Sequence, residues 1–119
     1  MILVIEDEYL LMTEVDRALT DGGFATDMVS SGEEALALFM GGDRSYNALV
    51  TGVNLGPGLN GWEVANRIRE KEPVFPVIYT TAYAEDWASH GVPNSVLVPK
   101  PFAQSQLVTT LSNPLNIRT

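Results

Sequence analysis

The chain contains no cysteine. This absence removes disulfides, thiolate catalysis and cysteine-ligated zinc together. Positive charge is also scarce, with seven Lys and Arg against fifteen Asp and Glu and a formal net charge of −8 at pH 7. A field of that sign repels a phosphate backbone, so no nucleic acid is expected as a partner. No stretch approaches the ~18 consecutive apolar residues of a membrane span, and no membrane partner is expected either. The opening run Met1-Ile2-Leu3-Val4-Ile5-Glu6-Asp7-Glu8 has no basic segment and meets acid after five residues, unlike a secretory signal. A cytoplasmic setting follows as the expectation. Repeats, low-complexity tracts and Pro/Ser-rich linkers are absent too. What is present is 119 residues with a 45% hydrophobic fraction, enough apolar material for one core in one domain spanning 1–119.

That apolar material is spaced as short runs alternating with amphipathic stretches. Ile2-Leu3-Val4-Ile5 is a continuous apolar run and reads as a strand buried on both faces. Leu11, Val15, Ala18 and Leu19 then recur at helical spacing until Gly22-Gly23. Phe24 to Val29 is a second, less apolar strand, suited to a sheet edge. Ser31, followed by Glu33 and Glu34, starts a second helix with acids at the positive end of its dipole. Its buried face is expected from Ala35, Leu38 and Phe39, and Gly41-Gly42 closes it.

Ala48-Leu49-Val50 is the third run, and the Gly- and Pro-rich segment from Gly52 to Gly61 reads as a loop. A helix from Trp62 to Lys71 turns Val64, Ala65 and Ile68 inward, with Glu63 and Arg67 spaced to pair outside. Pro76 to Thr80 is the fourth strand, Ala84 to Ser89 a short helix, and Ser95 to Val98 the fifth strand. A last helix runs from Phe102 to about Ser112, and the tail from Asn113 to Thr119 with Pro114 reads as a fraying end or linker. Five strands alternating with five helices imply an α/β fold, a doubly wound five-stranded parallel sheet.

In such sheets ligands bind beyond the carboxyl ends of the strands. The polar residues there are Glu6 and Asp7 after the first strand, Gly52 and Asn54 after the third, Thr81 after the fourth and Lys100 after the fifth. Carboxylates suit a hard divalent ion, and a hydroxyl with an ammonium suits phosphoryl oxygens.

In these pieces the sequence resembles the receiver domain of bacterial two-component response regulators, a CheY-like, flavodoxin-like fold. The resemblance rests on Ile2 through Glu8, Leu55 through Gly61 before a helix, Thr81-Ala82 after a strand, and Lys100-Pro101-Phe102, in that order. It implies that Glu6, Asp7 and the backbone carbonyl of Asn54 hold Mg²⁺. Thr81 would bind a phosphoryl oxygen, Lys100 would pair with the phosphorylated carboxylate, and the Lys100-Pro101 bond would be cis. The implied partners are a sensor histidine kinase or phosphotransfer protein, with a downstream protein or a homodimer through the last helices.

The sequence departs from that pattern at the phosphoacceptor position. The family's Asp, two residues before Asn54, is here Gly52, which has no side chain to phosphorylate. No Asp or Glu lies between Asp43 and Glu63 to replace it. Mg²⁺ affinity should fall, and Lys100, without its usual partner, should turn toward Asp7. Losing one of three crowded acids relieves repulsion, which offsets the ~0.5–1 kcal/mol that glycine costs in ordered backbone. Either a receiver that has abandoned phosphorylation or an active one with a single substitution fits; retention of the other pocket residues favours the second. A further departure is Leu97, three residues before Lys100, where the family's switch residue is aromatic.

Each of these residues also has a plainer reading. An acidic run is usually a solvated turn, Thr81 alone a strand end, and Gly56-Pro57-Gly58 a simple turn without the GxxxxGK[ST] pattern. His90 suits a helix C-terminus, Trp62 a packing residue at a helix start, and Tyr79 the core. Tyr83 and Trp87 read as surface packing, with a partner-binding patch as the alternative. Two other functions compete with the receiver reading. A haloacid-dehalogenase-like phosphatase needs an Asp nucleophile in a DxD motif where this chain has Glu6-Asp7-Glu8. A nucleotide-binding α/β enzyme needs backbone donors at the same acidic turn. A non-enzymatic receiver is the expectation.

Overall fold

The computed structural model describes residues 1–42, 45–82, 84–100 and 102–117. Five strands and five helices alternate: β1 (Ile2–Ile5), α1 (Tyr9–Asp21), β2 (Thr26–Val29), α2 (Gly32–Gly41), β3 (Ala48–Gly52), α3 (Gly61–Lys71), β4 (Val77–Thr81), α4 (Ala84–His90), β5 (Val96–Pro99) and α5 (Gln104–Ile117). All pairings are parallel, in the order β2-β1-β3-β4-β5. The less apolar β2 does lie at an edge.

The continuous apolar runs are explained by alternation of side chains across a sheet covered on both faces. Leu3, Ile5, Leu49, Val77 and Tyr79 join Ala35, Phe39, Val64 and Ile68 in one core layer under α2 and α3. Ile2, Val4, Val50, Ile78 and Val98 join Val15, Leu19, Leu107 and Leu111 in the other, under α1 and α5. Each fully buried aliphatic side chain contributes about 1.5–3 kcal/mol. The radius of gyration, 12.8 Å, fits this doubly wound packing.

Local chemistry sets the helix starts. Ser31 caps α2 by accepting the Glu34 N–H at 3.2 Å. Asn60 caps α3 by accepting the Glu63 N–H at 2.9 Å, while the Glu63 carboxylate accepts the Asn60 N–H at 3.1 Å. This capping box turns Glu63 back on its own helix start rather than along the face toward Arg67. Glycine permits close approach at the starts of α2 and α3. A Cβ on Gly32 would meet Val64 of α3 at 2.6 Å, and a Cβ on Gly61 would collide with the carbonyl oxygen of Gly52.

Several boundaries and one buried position differ from the sequence-based expectation. β3 and β4 each run farther toward their carboxyl ends, so Gly52 and Thr81 are strand residues. Leu38 is exposed, because α2 turns only Gly32, Ala35 and Phe39 fully inward. The segment expected as a frayed tail continues α5 through Pro114 to Ile117. Tyr83 and Pro101 lie outside the described residues, and with Pro101 the expected cis bond.

Candidate functional site

Parallel strands deliver their carboxyl ends to one edge, and there the expected residues converge. Asp7, Glu8, Asn54, Thr81, Ala82 and Lys100 line an open cavity of about 300 Å³. Asp7 and Asn54 are exposed, Thr81 is buried, and Lys100 is half-buried. The Lys100 N–H donates to the Thr81 carbonyl at 3.0 Å, which fixes the end of β5 against β4.

Glu6 faces inward and is only 2% exposed. Its Oε1 accepts from Lys100 Nζ at 3.3 Å. Its Oε2 accepts the N–H groups of Asp7 at 3.1 Å and Glu8 at 3.3 Å. Burial pushes the Glu6 carboxyl above its ordinary range; the Lys100 charge and the Glu8 amide offset part of that rise, and Asp7 adds to it. Lys100 therefore pairs with Glu6 and not with Asp7 as expected. Desolvation explains the choice, since the buried carboxylate needs a counter-charge and the exposed Asp7 has water.

Gly52 lies against the Glu6 carboxylate. A Cβ built there would sit 3.3 Å from Glu6 Oε1 and 3.5 Å from Leu55 Cδ2. The backbone φ of Gly52 is not positive, so its conformation does not require glycine. The consequence of glycine at this position is space, and the carboxylate of Glu6 borders that space. The Thr51 hydroxyl donates to the Gly52 carbonyl at 2.7 Å, and Gly61 N–H to the Val53 carbonyl at 2.8 Å, anchoring the loop entrance to α3.

The donors present do not fit a complete Mg²⁺ site. Both Glu6 oxygens are committed, and Gly52 offers no side chain. Only the Asp7 carboxylate and the Asn54 carbonyl remain of the implied set. Among the described residues no group of three or more acidic or imidazole side chains converges for a metal.

A second cluster, which the sequence showed only in fragments, lies beside β4. Trp62 packs on Tyr79 with ring centroids 4.6 Å apart and stacks on His90 at 5.8 Å. The Tyr79 hydroxyl accepts the Val92 N–H at 3.1 Å, and burial pushes its own ionisation upward. Trp87 Nε1 donates to Ser95 Oγ at 2.9 Å. Arg69 donates to the Phe75 carbonyl at 2.6 Å and the Pro93 carbonyl at 2.5 Å, tying α3 to the α4–β5 turn. His90 Nδ1 lies 3.1 Å from the Asp86 carbonyl, the helix-end contact its position suggested. The Trp62–His90 stack and the role of Arg69 depend on helix-to-helix placement, for which spacing within one helix carries no signal.

Comparison with known proteins agrees with this geometry. The profile of the family described as "Response regulator receiver domain" matches residues 2–112. The transcriptional regulatory protein TcrA of Mycobacterium tuberculosis is 43% identical over 81 residues, covering 68% of this chain and 31% of that protein. The transcriptional regulatory protein CusR of Escherichia coli is 29% identical over 112 residues, covering 90% of this chain and 47% of that protein. The chain thus spans less than half the length of these curated relatives. A crystal structure of a response regulator receiver protein from Sinorhizobium medicae superposes with a TM-score of 0.94 at 38% identity, covering 99% of this chain and 95% of that one. The chain belongs to the response regulator receiver domain family.

Proposed function

We propose that this chain, as one domain over residues 1–119, is a receiver module of a two-component phosphorelay that is not phosphorylated at residue 52 and acts through protein contact. The observation that carries the reading is the buried Glu6, paired with Lys100 and lying against the side-chain-free Gly52 at the carboxyl edge of the sheet. The chain's own residues there can hold a carboxylate, a hydroxyl and an ammonium in register but provide no nucleophile at the end of β3. Thr81 and Lys100 are the phosphoryl-binding residues of the ancestral pocket. Glu6, Asp7 and the Asn54 carbonyl occupy its metal positions, and the missing acid at residue 52 together with the engagement of Glu6 by Lys100 lowers Mg²⁺ affinity. Leu97 at the switch position lacks a ring to reorient.

Its partners in this reading are a histidine kinase or phosphotransfer protein, and a downstream protein or second copy that meets the last helices. The setting is the cytoplasm, with neither nucleic acid nor membrane bound by this domain. Phosphatase and nucleotide-binding chemistry are disfavoured by the Glu6-Asp7-Glu8 turn, which lacks the DxD motif of the one and sets carboxylates where the other needs backbone donors. Incubation with acetyl phosphate and Mg²⁺ tests the reading. The natural chain should take up no phosphoryl group, and Gly52→Asp should be labelled. Labelling of the natural chain would refute it.

A further inference from the structure

We propose that the ammonium of Lys100 is the resident cation of this site and takes the place that the family gives to Mg²⁺. The inference extends the reading of the chain as a receiver, because only that reading makes a metal the expected occupant. Glu6 is 2% exposed, and a buried carboxylate needs a positive partner. Its Oε1 finds that partner in Lys100 Nζ at 3.3 Å, and its Oε2 is closed by two backbone N–H groups. Each Glu6 oxygen is thus engaged from within the protein, and Glu6 is not among the residues lining the cavity a metal would enter.

The sheet order explains why position 52 controls this exchange. Lys100 follows β5 and Glu6 follows β1, with the ends of β3 and β4 between them. At roughly 4.8 Å per strand spacing their backbones stand about 14 Å apart, so two long side chains must meet over β3. Gly52 is the β3 residue against the Glu6 carboxylate, and even a Cβ there would approach Glu6 Oε1 to 3.3 Å. A carboxylate at 52 would compete for the ammonium and give a divalent ion a further donor. Without one, a single tethered positive charge satisfies the buried acid, while Asp7 and Glu8 stay exposed to water.

Mg²⁺ titration of the intact chain tests this without any phosphoryl donor, and its outcome is separable from the labelling experiment. Amide resonances of Asp7, Glu8 and Asn54 are followed up to about 20 mM MgCl₂ at constant ionic strength, so that screening does not mimic binding. The natural chain should show no saturable shift and no change in thermal midpoint. Lys100→Met, which frees Glu6, should gain a saturable response; Lys100→Gln is read the same way if the methionine variant does not fold. A saturable response of the natural chain in the millimolar range or below overturns the proposal. So does a folded Lys100 variant that remains unresponsive, since Lys100 would then not be what keeps the metal out.

Discussion

Tyr79 stands directly opposite Leu97 in the β4–β5 ladder, fully buried, with its hydroxyl accepting the Val92 N–H at 3.1 Å. The one ring in this pair is therefore on β4, wedged against Trp62 and bonded to the turn that leads into β5. Tyr79→Phe keeps the ring and removes the acceptor, leaving the Val92 N–H buried and unpaired. The expected cost is about 1–3 kcal/mol. Urea denaturation should show that loss, and hydrogen exchange should show faster opening at Val92 than in the natural chain.

Gly52 and Gly61 should respond differently to alanine. At Gly52 the φ is ordinary, but the added Cβ would press on the anchored Glu6 Oε1 at 3.3 Å, so the gain from a stiffer unfolded chain is offset and Gly52→Ala should stay within about 1 kcal/mol of the parent. At Gly61 the added Cβ would run into the Gly52 carbonyl, a backbone atom that cannot swing aside. Gly61→Ala should destabilise by about 1–3 kcal/mol through that overpacking. Thermal midpoints of the two variants, compared side by side, check that difference.

The capping box of α3 gives a third measurable quantity. Asn60→Ala removes the side-chain oxygen that accepts the Glu63 N–H at 2.9 Å. About 1 kcal/mol should be lost. Because the same residue ends the loop from Gly52, exchange protection should also fall at the first turn of α3.

Acid should release the tie between α2 and the β3–α3 loop. Glu33 Oε2 accepts the Leu59 N–H at 2.9 Å, and this hydrogen bond holds the carboxyl below its ordinary value of 4.5. A depressed folded-state value contributes stability that is fully present above the unfolded value and is lost as pH falls through the folded one. The natural chain should therefore be more stable than Glu33→Gln by a constant margin above pH 4.5, and that margin should shrink below it. Chemical denaturation of both proteins across that window is the check; a margin that grows on acidification would reverse the sign.

The fold was legible because β1, β3 and β4 each open on a run of apolar residues and α1, α2 and α3 each carry one apolar stripe. Ile2–Ile5 is the clearest case, its four residues dividing two and two between the core layers. The site was legible as far as strand ends could be counted, which located Glu6, Asp7, Asn54, Thr81 and Lys100 at one edge. Partner choice was not legible. Lys100 could reach either acid by sequence, and burial, a property of the folded sheet edge, decides for Glu6 over the exposed Asp7. Leu38 carried the right spacing for the core, yet α2 packs on a narrow face and leaves it outside. The extension of α5 through Pro114 was hidden because proline usually breaks a helix interior, and the periodicity after Ser112 is weak.

The Glu6–Lys100 pair itself should behave as a coupled unit. Lys100→Met leaves an acid buried without its counter-charge, a change that costs about 3–5 kcal/mol when both partners are fully enclosed. The Lys100 side chain is 25% exposed, so water can screen part of the loss and about 2 kcal/mol is the expectation here. Glu6→Gln removes the charge but keeps an acceptor for Lys100, whose ammonium can turn toward solvent or Asp7. The double variant should then be less destabilised than the sum of the singles, by a coupling of about 1–2 kcal/mol. Urea denaturation of the natural chain, both singles and the double completes the cycle. Strict additivity would mean that the two side chains meet without interacting, and that Glu6 is held by its two backbone amides alone.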